Sequence, residues 1–545
     1  VAQDTDWEDA VQRVTADEAV RVICSGDTLL VGGSGGGHAV PEELMAALER
    51  RFLAEREPRN ITAVHPVGLG DGTNLGAGHF AHQDLLKRIV CGTFVNSPKI
   101  SDMAIADQIE GYTLPQGALS QLMREIAAGR PGLLTQTGLH TFVDPRHGGG
   151  RQSKCATEDL VELVDFRGQD YLFFKPMHFD VCFLRGTTAD EDGNVTMEQE
   201  AIFGEMLSQA QATRRCGGVV IVQVKRMAKR GTLPAKQVKV PGILVDLVVA
   251  EPEQRQTYET YYSPAYAGEL MVPLSDIPVL PLNPRKIIAR RAAMELFPGA
   301  VCNLGSGIST GIANVAAEEN VLDEICLTNE QGLIGGAPAS GNEAGASRNF
   351  SAMVDQPYQF DFYDGGGLDL AFLSFAEADE AGNANVSRFG GRIIGPGGFI
   401  NISQNAKSVI FSGTFSAGKS EMACVDGRLK IARDGGAGKF VKAVEQITYS
   451  GAYGRERGQS VLYVTERAVF RLGSAGVELI EIAPGVDLER DVLARMGFKP
   501  KIAPKLASMD ARLFRPEPMQ LAGDLARRPR LQRSPRLDLP QVGSR

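Results

Sequence analysis

Short apolar runs alternate along this chain with glycine-rich turns and with longer stretches whose apolar residues recur every three or four positions. Helical spacing is read over 5–23. A turn at Gly26 and Asp27 then leads into a strand at 29–31, a glycine loop at 32–37 and a helix that opens at Pro41 with Glu42 and Glu43 in its first turn. A strand at 61–64, a helix near 80–89 and a helix over 117–128 continue the alternation, and far downstream a strand is expected at 399–402 after a tight glycine turn. Strand, loop and helix in that order predict an open α/β sheet.

The pattern occurs twice. Asp180, Phe183, Leu184, Ala189, Asp190, Glu191, Gly193 and Asn194 recur at identical spacing as Asp369, Phe372, Leu373, Ala378, Asp379, Glu380, Gly382 and Asn383. Each copy reads as a buried strand, an acidic glycine turn and a further strand (219–224; 408–412). The strand and glycine loop of 29–37 also recur, as 301–307. The expected fold is two related open α/β domains fused in one chain: 1–277, a linker at 278–284 marked by Pro278, Pro281 and Pro284, and 285–522 beginning with a helix over 285–296. Residues 523–545 differ in character, with Arg527, Arg528, Arg530, Arg533 and Arg536 interleaved with Pro529 and Pro535. That composition predicts a disordered tail, with an arm for nucleic acid or a membrane surface as the alternative.

One carboxylate stands out against this frame. Glu330 follows an apolar run at 324–328 and precedes the flexible turn of Gly332, Gly335 and Gly336. A glutamate has a reference pKa of about 4.3, so near neutrality it is ionised and attacks a carbonyl or thioester carbon without a base. On local sequence alone, a surface glutamate in a turn is the better reading, since matches of this length are common. Composition narrows the chemistry: 545 residues with a net charge of −9 argue against general nucleic-acid affinity. The eight cysteines show no paired spacing and the seven histidines no zinc spacing, His79 and His82 included, so no metal is expected. Scattered thiols, an acidic N-terminus without a signal pattern and no apolar run approaching ~20 residues point to the cytoplasm.

Two glycine motifs compete for attention. Gly413–Ser420 fits GxxxxGK[ST] and follows a strand, which would make an NTP-binding module, yet residues 421–431 read as two short strands about an Asp-Gly turn, where a P-loop needs a helix. Gly305, Gly307 and Gly311 form a GxGxxxG, and the first loop lacks the dinucleotide spacing because His38 stands where the third glycine belongs.

Four separated stretches together resemble the family I coenzyme A transferases, over about residues 12–520. They are Leu114 to Gly117, Asn303 to Ile308, Glu330 with Gly332, and Gly395 to Phe399, supported by the run 355–367. The likeness is to the single-chain propionate or short-chain acyl-CoA:acetate type, with succinyl-CoA:3-ketoacid transferase as a relative. It implies an alpha-like first half and a beta-like second half. It also implies a ping-pong transfer of CoA through a glutamyl-CoA thioester on Glu330, with the Gln116 amide and a backbone N–H of Gly397 or Gly398 facing the oxyanion. Asn303, Gly305, Gly307, Gly311 and Gly397 correspond to CoA-contacting positions, and Lys419 is a candidate for a CoA phosphate. Substrates are acyl-CoA and carboxylates, no cofactor is tightly bound, and a homo-oligomer, dimer or tetramer, is expected without nucleic-acid or membrane partners. An acyl-CoA hydrolase using the same glutamate is the enzymatic alternative. The chain departs from the family in lacking a proline near Ser309, in the small residues Gly35, Gly36 and Gly37, and in the polar Asn342 and Glu343. These smaller side chains are expected to leave room for longer or more polar acyl groups.

Overall fold

The computed structural model describes residues 11–273 and 277–533. Two large sheets organise it. In the first, strands lie in the order Gln12–Val14, Leu247–Ala250, Val219–Ala228, Val181–Asp190, Thr28–Val31, Ile61–His65, Leu86–Cys91 and Glu110–Thr113, with every neighbouring pair parallel. The second has a parallel centre of Cys326–Thr328, Val301–Leu304, Leu370–Ser374, Ser408–Ser412 and Ser460–Val464, extended by antiparallel strands at both sides. Helices cover the faces, and the central strands are buried on both sides, as parallel sheets require.

The repeat read from the sequence is a repeat of hydrogen bonds. Leu29 pairs with Val181 and Leu30 with Cys182; in the second half Cys302 pairs with Leu370 and Asn303 with Ala371. Asp180 accepts from the Thr28 N–H at 2.8 Å, and Asp369 accepts from the Val301 N–H at 2.9 Å. Gly32 donates to Phe183 O at 2.9 Å and Gly305 to Phe372 O at 2.8 Å. Each acidic residue thus clasps the start of the neighbouring strand, and each glycine loop leaves the sheet from the same register.

Several sequence expectations need correction. Within 5–23, residues 5–10 lie outside the described residues, Gln12–Val14 is an edge strand, and only Ala16–Ala19 is α-helical. The helix expected near 80–89 is a short turn, Gly76–Phe80, followed by the strand Leu86–Cys91. Its apolar residues Ile89, Val90 and Cys91 form a continuous buried run, which short windows do not distinguish from a helix. The strand expected at 399–402 is the buried helix Phe399–Asn405. Residues 523–533 are not a free tail: Leu531 donates to Pro298 O at 2.9 Å and Arg528 to Leu296 O, so arginine satisfies carbonyls where the helical region after Pro284–Ala293 ends. The remainder of the expected tail, 534–545, lies outside the described residues.

Candidate active site

Glu330 sits at the tip of a tight turn at the C-terminal end of the strand Cys326–Thr328, the edge of a parallel sheet where ligands bind. Asn329 donates to Leu333 O at 3.0 Å and Gly332 to Asn329 O at 3.2 Å. Gly332 has φ +104, and a Cβ there would lie 2.0 Å from Val354 O, so only glycine closes this turn. Because Asn303 pairs with Thr328 across the sheet, its side chain reaches forward to the nucleophile. The Asn303 Nδ2 lies 3.5 Å from Glu330 Oε2, 3.4 Å from Thr328 O and 3.3 Å from the Tyr363 hydroxyl. That hydroxyl donates to Thr328 Oγ1 at 2.8 Å. Among the described residues no lysine, arginine or histidine nitrogen lies within 4.0 Å of the Glu330 carboxylate. Desolvation therefore dominates and pushes its pKa up, against its own backbone N–H and then the Asn303 and Gln331 amides, which pull the other way.

The opposite wall comes from the first half. Gln116 is the first residue of the helix Gln116–Ala127 and is 2% exposed. A segment of the second half is threaded in beside it: Phe94 donates to Ile394 O at 2.6 Å, Gly397 to Gly92 O at 2.8 Å, and Gln116 to Gly397 O at 2.9 Å. The Gly397 N–H is thereby committed and is not available to an oxyanion, which corrects half of the expected pair. The Gly398 N–H has no acceptor among the described residues, and a Cβ at Gly398 would lie 3.5 Å from Glu330 Cγ. Glu330, Gln116, Gly397 and Gly398 all line one cleft of about 490 Å³ between the halves.

The other expected positions divide. Gly305, Ser306 and Thr310 border the cleft. Asn303 lies behind Glu330, and Gly307 turns the loop at φ +97 against Ser374. Gly311 is a packing glycine: a Cβ there would stand 3.1 Å from Leu280 and 3.3 Å from Ala289. Lys419 is exposed and is not among the cleft-lining residues. No helix follows its strand; Glu421–Val425 and Arg428–Arg433 form an antiparallel hairpin, so the P-loop geometry is missing.

Gly35 and Gly36 border the cleft; a Cβ at Gly35 would come no nearer than 3.4 Å to Ala344 O, but the space at Gly36 and Gly37 is filled by protein. A Cβ at Gly36 would lie 1.9 Å from Asn342 O, and one at Gly37 2.7 Å from Tyr258 N. Glu343 turns away from the cleft, accepting from Tyr266 Oη at 2.7 Å and from Thr260. Burial pushes its pKa up, and these hydroxyl donors overcome it to leave the carboxyl below its ordinary value. At Gly36, Gly37 and Glu343 the room expected for a larger acyl group is thus occupied by the protein's own atoms, while Gly35 stays at the cleft wall. Sequence reasoning missed Tyr363, Thr328, Gln356 and Glu205, which packing alone brings to the site; of these, Gln356 and Tyr363 fall in the run 355–367 that carried the family likeness.

Comparison with known proteins places the chain among relatives of similar length and fold. The model of the family described as coenzyme A transferase matches residues 13–251. The chain is 46% identical to the caffeate CoA-transferase of Acetobacterium woodii over 509 residues, covering 92% of this chain and 97% of that one. It is 44% identical to the acetate CoA-transferase YdiF of Escherichia coli K12, covering 92% of this chain and 94% of the relative. The crystal structure of the acyl-CoA transferase YdiF of Escherichia coli O157:H7, as a thioester complex with CoA, superposes with a TM-score of 0.90 at 44% identity, covering 94% of this chain and 97% of that one.

Proposed function

Since the chain belongs to the coenzyme A transferase family and is a CoA-transferase, we propose that Glu330 is the nucleophile of a ping-pong transfer from a short-chain acyl-CoA to a carboxylate such as acetate or propionate. The Glu330 carboxylate attacks the thioester carbonyl, and the tetrahedral intermediate expels CoA thiolate to leave an acyl-glutamyl anhydride. The thiolate then attacks the glutamyl carbonyl, releasing the donor's carboxylate and forming glutamyl-CoA. The acceptor carboxylate attacks that thioester, and the same steps run in reverse to give the new acyl-CoA. Every tetrahedral species carries an oxyanion, for which we assign the Gln116 amide and the Gly398 N–H as donors. Loss of one such donor typically costs about 100-fold or more in kcat.

The observation that carries this reading is the Gly398 N–H, which has no acceptor among the described residues, beside a half-buried cleft carboxylate that no cation among those residues holds. Partial desolvation without a counter-ion raises the carboxyl's pKa and leaves the nucleophile less held by solvent than a surface glutamate. The names of two relatives, an acetate and a caffeate CoA-transferase, support carboxylates as acceptors, and a relative crystallised as a thioester with CoA supports the intermediate. CoA contacts are assigned to Gly305 and Ser306 at the cleft rim. We assign the enzyme to the cytoplasm as a dimer or tetramer. Eight unpaired thiols suit a reducing compartment, and no helix among the described residues is long and apolar enough to cross a membrane.

The test is incubation with acyl-CoA in the absence of acceptor, followed by peptide mass spectrometry. CoA should appear on the Glu330 peptide and be lost on borohydride reduction, and Glu330→Ala should abolish exchange. Undiminished transfer in Glu330→Ala would refute the assignment. CoA release at full rate without acceptor would identify a hydrolase.

A further inference from the structure

Three helices begin around one buried point. Gln116 opens Gln116–Ala127, Glu205 caps Met206–Cys216 and Gln356 opens Gln356–Asp364. All three side chains are at most 2% exposed. The Gln116 Nε2 donates to Gln356 Oε1 at 3.2 Å, Gln356 Nε2 donates to Glu205 Oε1, and the same oxygen accepts from Ser120 Oγ at 2.7 Å. The three-residue chain therefore crosses from the first half to the second and back, and ends on the amide assigned to the oxyanion.

Its direction is set at one end. A primary amide has a donor end and an acceptor end of the same shape, so packing alone does not choose between its two orientations. Both donors meet Glu205 Oε1, and although burial raises this acid's pKa to about 7, a proton on it sits on the partnerless Oε2, so Oε1 remains an acceptor in either state and draws the NH2 of Gln356. That leaves Gln356 Oε1 facing Gln116, and a carbonyl oxygen in turn draws the Gln116 NH2. Reversing Gln116 would set two carbonyl oxygens against each other inside a dry site, where an unmade hydrogen bond is costly. One N–H of the Gln116 NH2 is thus consumed by the chain, and the other has no acceptor among the described residues. Among those residues no lysine, arginine or histidine nitrogen lies within 4.0 Å of the Glu205 carboxyl, so no cation accounts for an acid in this place.

We propose that Glu205 is a positioning residue of the transfer reaction: acting through Gln356, it fixes which end of the Gln116 amide serves the cleft. This rests on the assignment of Gln116 to the oxyanion, and the experiment separates the two. Glu205→Met keeps the length and removes the acceptor; Glu205→Gln keeps it, because Oε1 alone carries both bonds and Oε2 has no partner. Steady-state kinetics should show Glu205→Met lowering kcat by about tenfold or more, with KM for acyl-CoA within about threefold, since a misplaced group costs the transition state more than the ground state. Glu205→Gln should restore most of kcat.

The deciding measurement is the double variant. Placed on Gln116→Ala, Glu205→Met should lower kcat no further, because it acts only through the amide already removed. Should Glu205→Met fail to fold, Gln356→Met breaks the chain at its middle, keeps the Glu205–Ser120 bond, and should show the same drop and the same non-additivity. Full multiplicativity with Gln116→Ala, or an unchanged kcat in the folded single variant, would overturn the proposal while leaving Gln116 in its role. An unchanged kcat in Gln116→Ala would remove the oxyanion assignment and the positioning role with it.

Discussion

At the scale of single residues, the consequential feature is the upward shift of Glu330, caused by burial without a counter-ion. A carboxyl whose pKa is higher in the folded chain than in the unfolded one stabilises the fold only while protonated. That contribution is complete below the unfolded value of about 4.3 and is lost as pH rises through the folded value. At neutral pH the ionised nucleophile therefore costs stability. Glu330→Gln should raise Tm at pH 8 and raise it less, or not at all, at pH 4.5; equal changes at both would show that the carboxylate is not desolvated. The same shift puts the acid limb of kcat/KM above the ordinary glutamate range, measurable by pH profiles on the wild-type enzyme. Glu330 was singled out only when four separated motifs were taken together, because a glutamate in a local turn carries no signal of its own. Glu205 and Gln356 were not, since three helix starts at 116, 205 and 356 meet only in the fold.

Elements carry a different lesson, which the first glycine loop illustrates. Strand, loop and helix around Thr28–Val31 and Glu42–Glu55 were readable from turn chemistry and first-turn acids. What the glycines are for was not readable, because the atoms that need the space belong to 258 and 342. Gly36→Ala should destabilise the protein by about 1–3 kcal/mol in denaturant unfolding, since its Cβ would meet backbone at 1.9 Å and not a yielding side chain. Gly436→Ala is the control, with nothing within 4 Å, and should stay within about 0.5 kcal/mol. A tolerated Gly36→Ala would mean that the loops at 36 and 342 separate easily. The helix Phe399–Asn405 was misread as a strand for a related reason. Its apolar run fits either period, and its identity is fixed by partners in the other half: Gly117 donates to Asn401 Oδ1 at 3.1 Å and Gln404 donates to Leu139 O at 2.8 Å.

For the whole molecule, the duplicated architecture was legible because the Asp180 and Asp369 clasps repeat residue types as well as geometry. The way the halves dock was not, because it depends on buried amides and acids scattered over the chain. Asp364 is the centre of that docking, accepting from Asn401 and Asn405 of its own half and from Gln121 of the other at 3.0 to 3.1 Å. Burial raises its pKa to about 7. By the sign rule applied to Glu330, stability falls as pH rises from about 4 to 7, with a slope of up to about 1.4 kcal/mol per pH unit from this group. Asp364→Asn should flatten that slope in urea unfolding at pH 5, 6 and 7 whatever it does to absolute stability, and an unchanged slope would assign the pH dependence elsewhere. Saturating CoA should raise Tm by linkage while millimolar ATP should not, because Lys419 stands outside the cleft. The segment threaded from 394 to 397 between Gly92 and Gln116 means that each half holds only part of the reacting geometry. Severed between 278 and 284, two such fragments would be inert apart, and at low concentration their turnover would grow with the product of their concentrations, so that catalysis itself would count reassembled pairs.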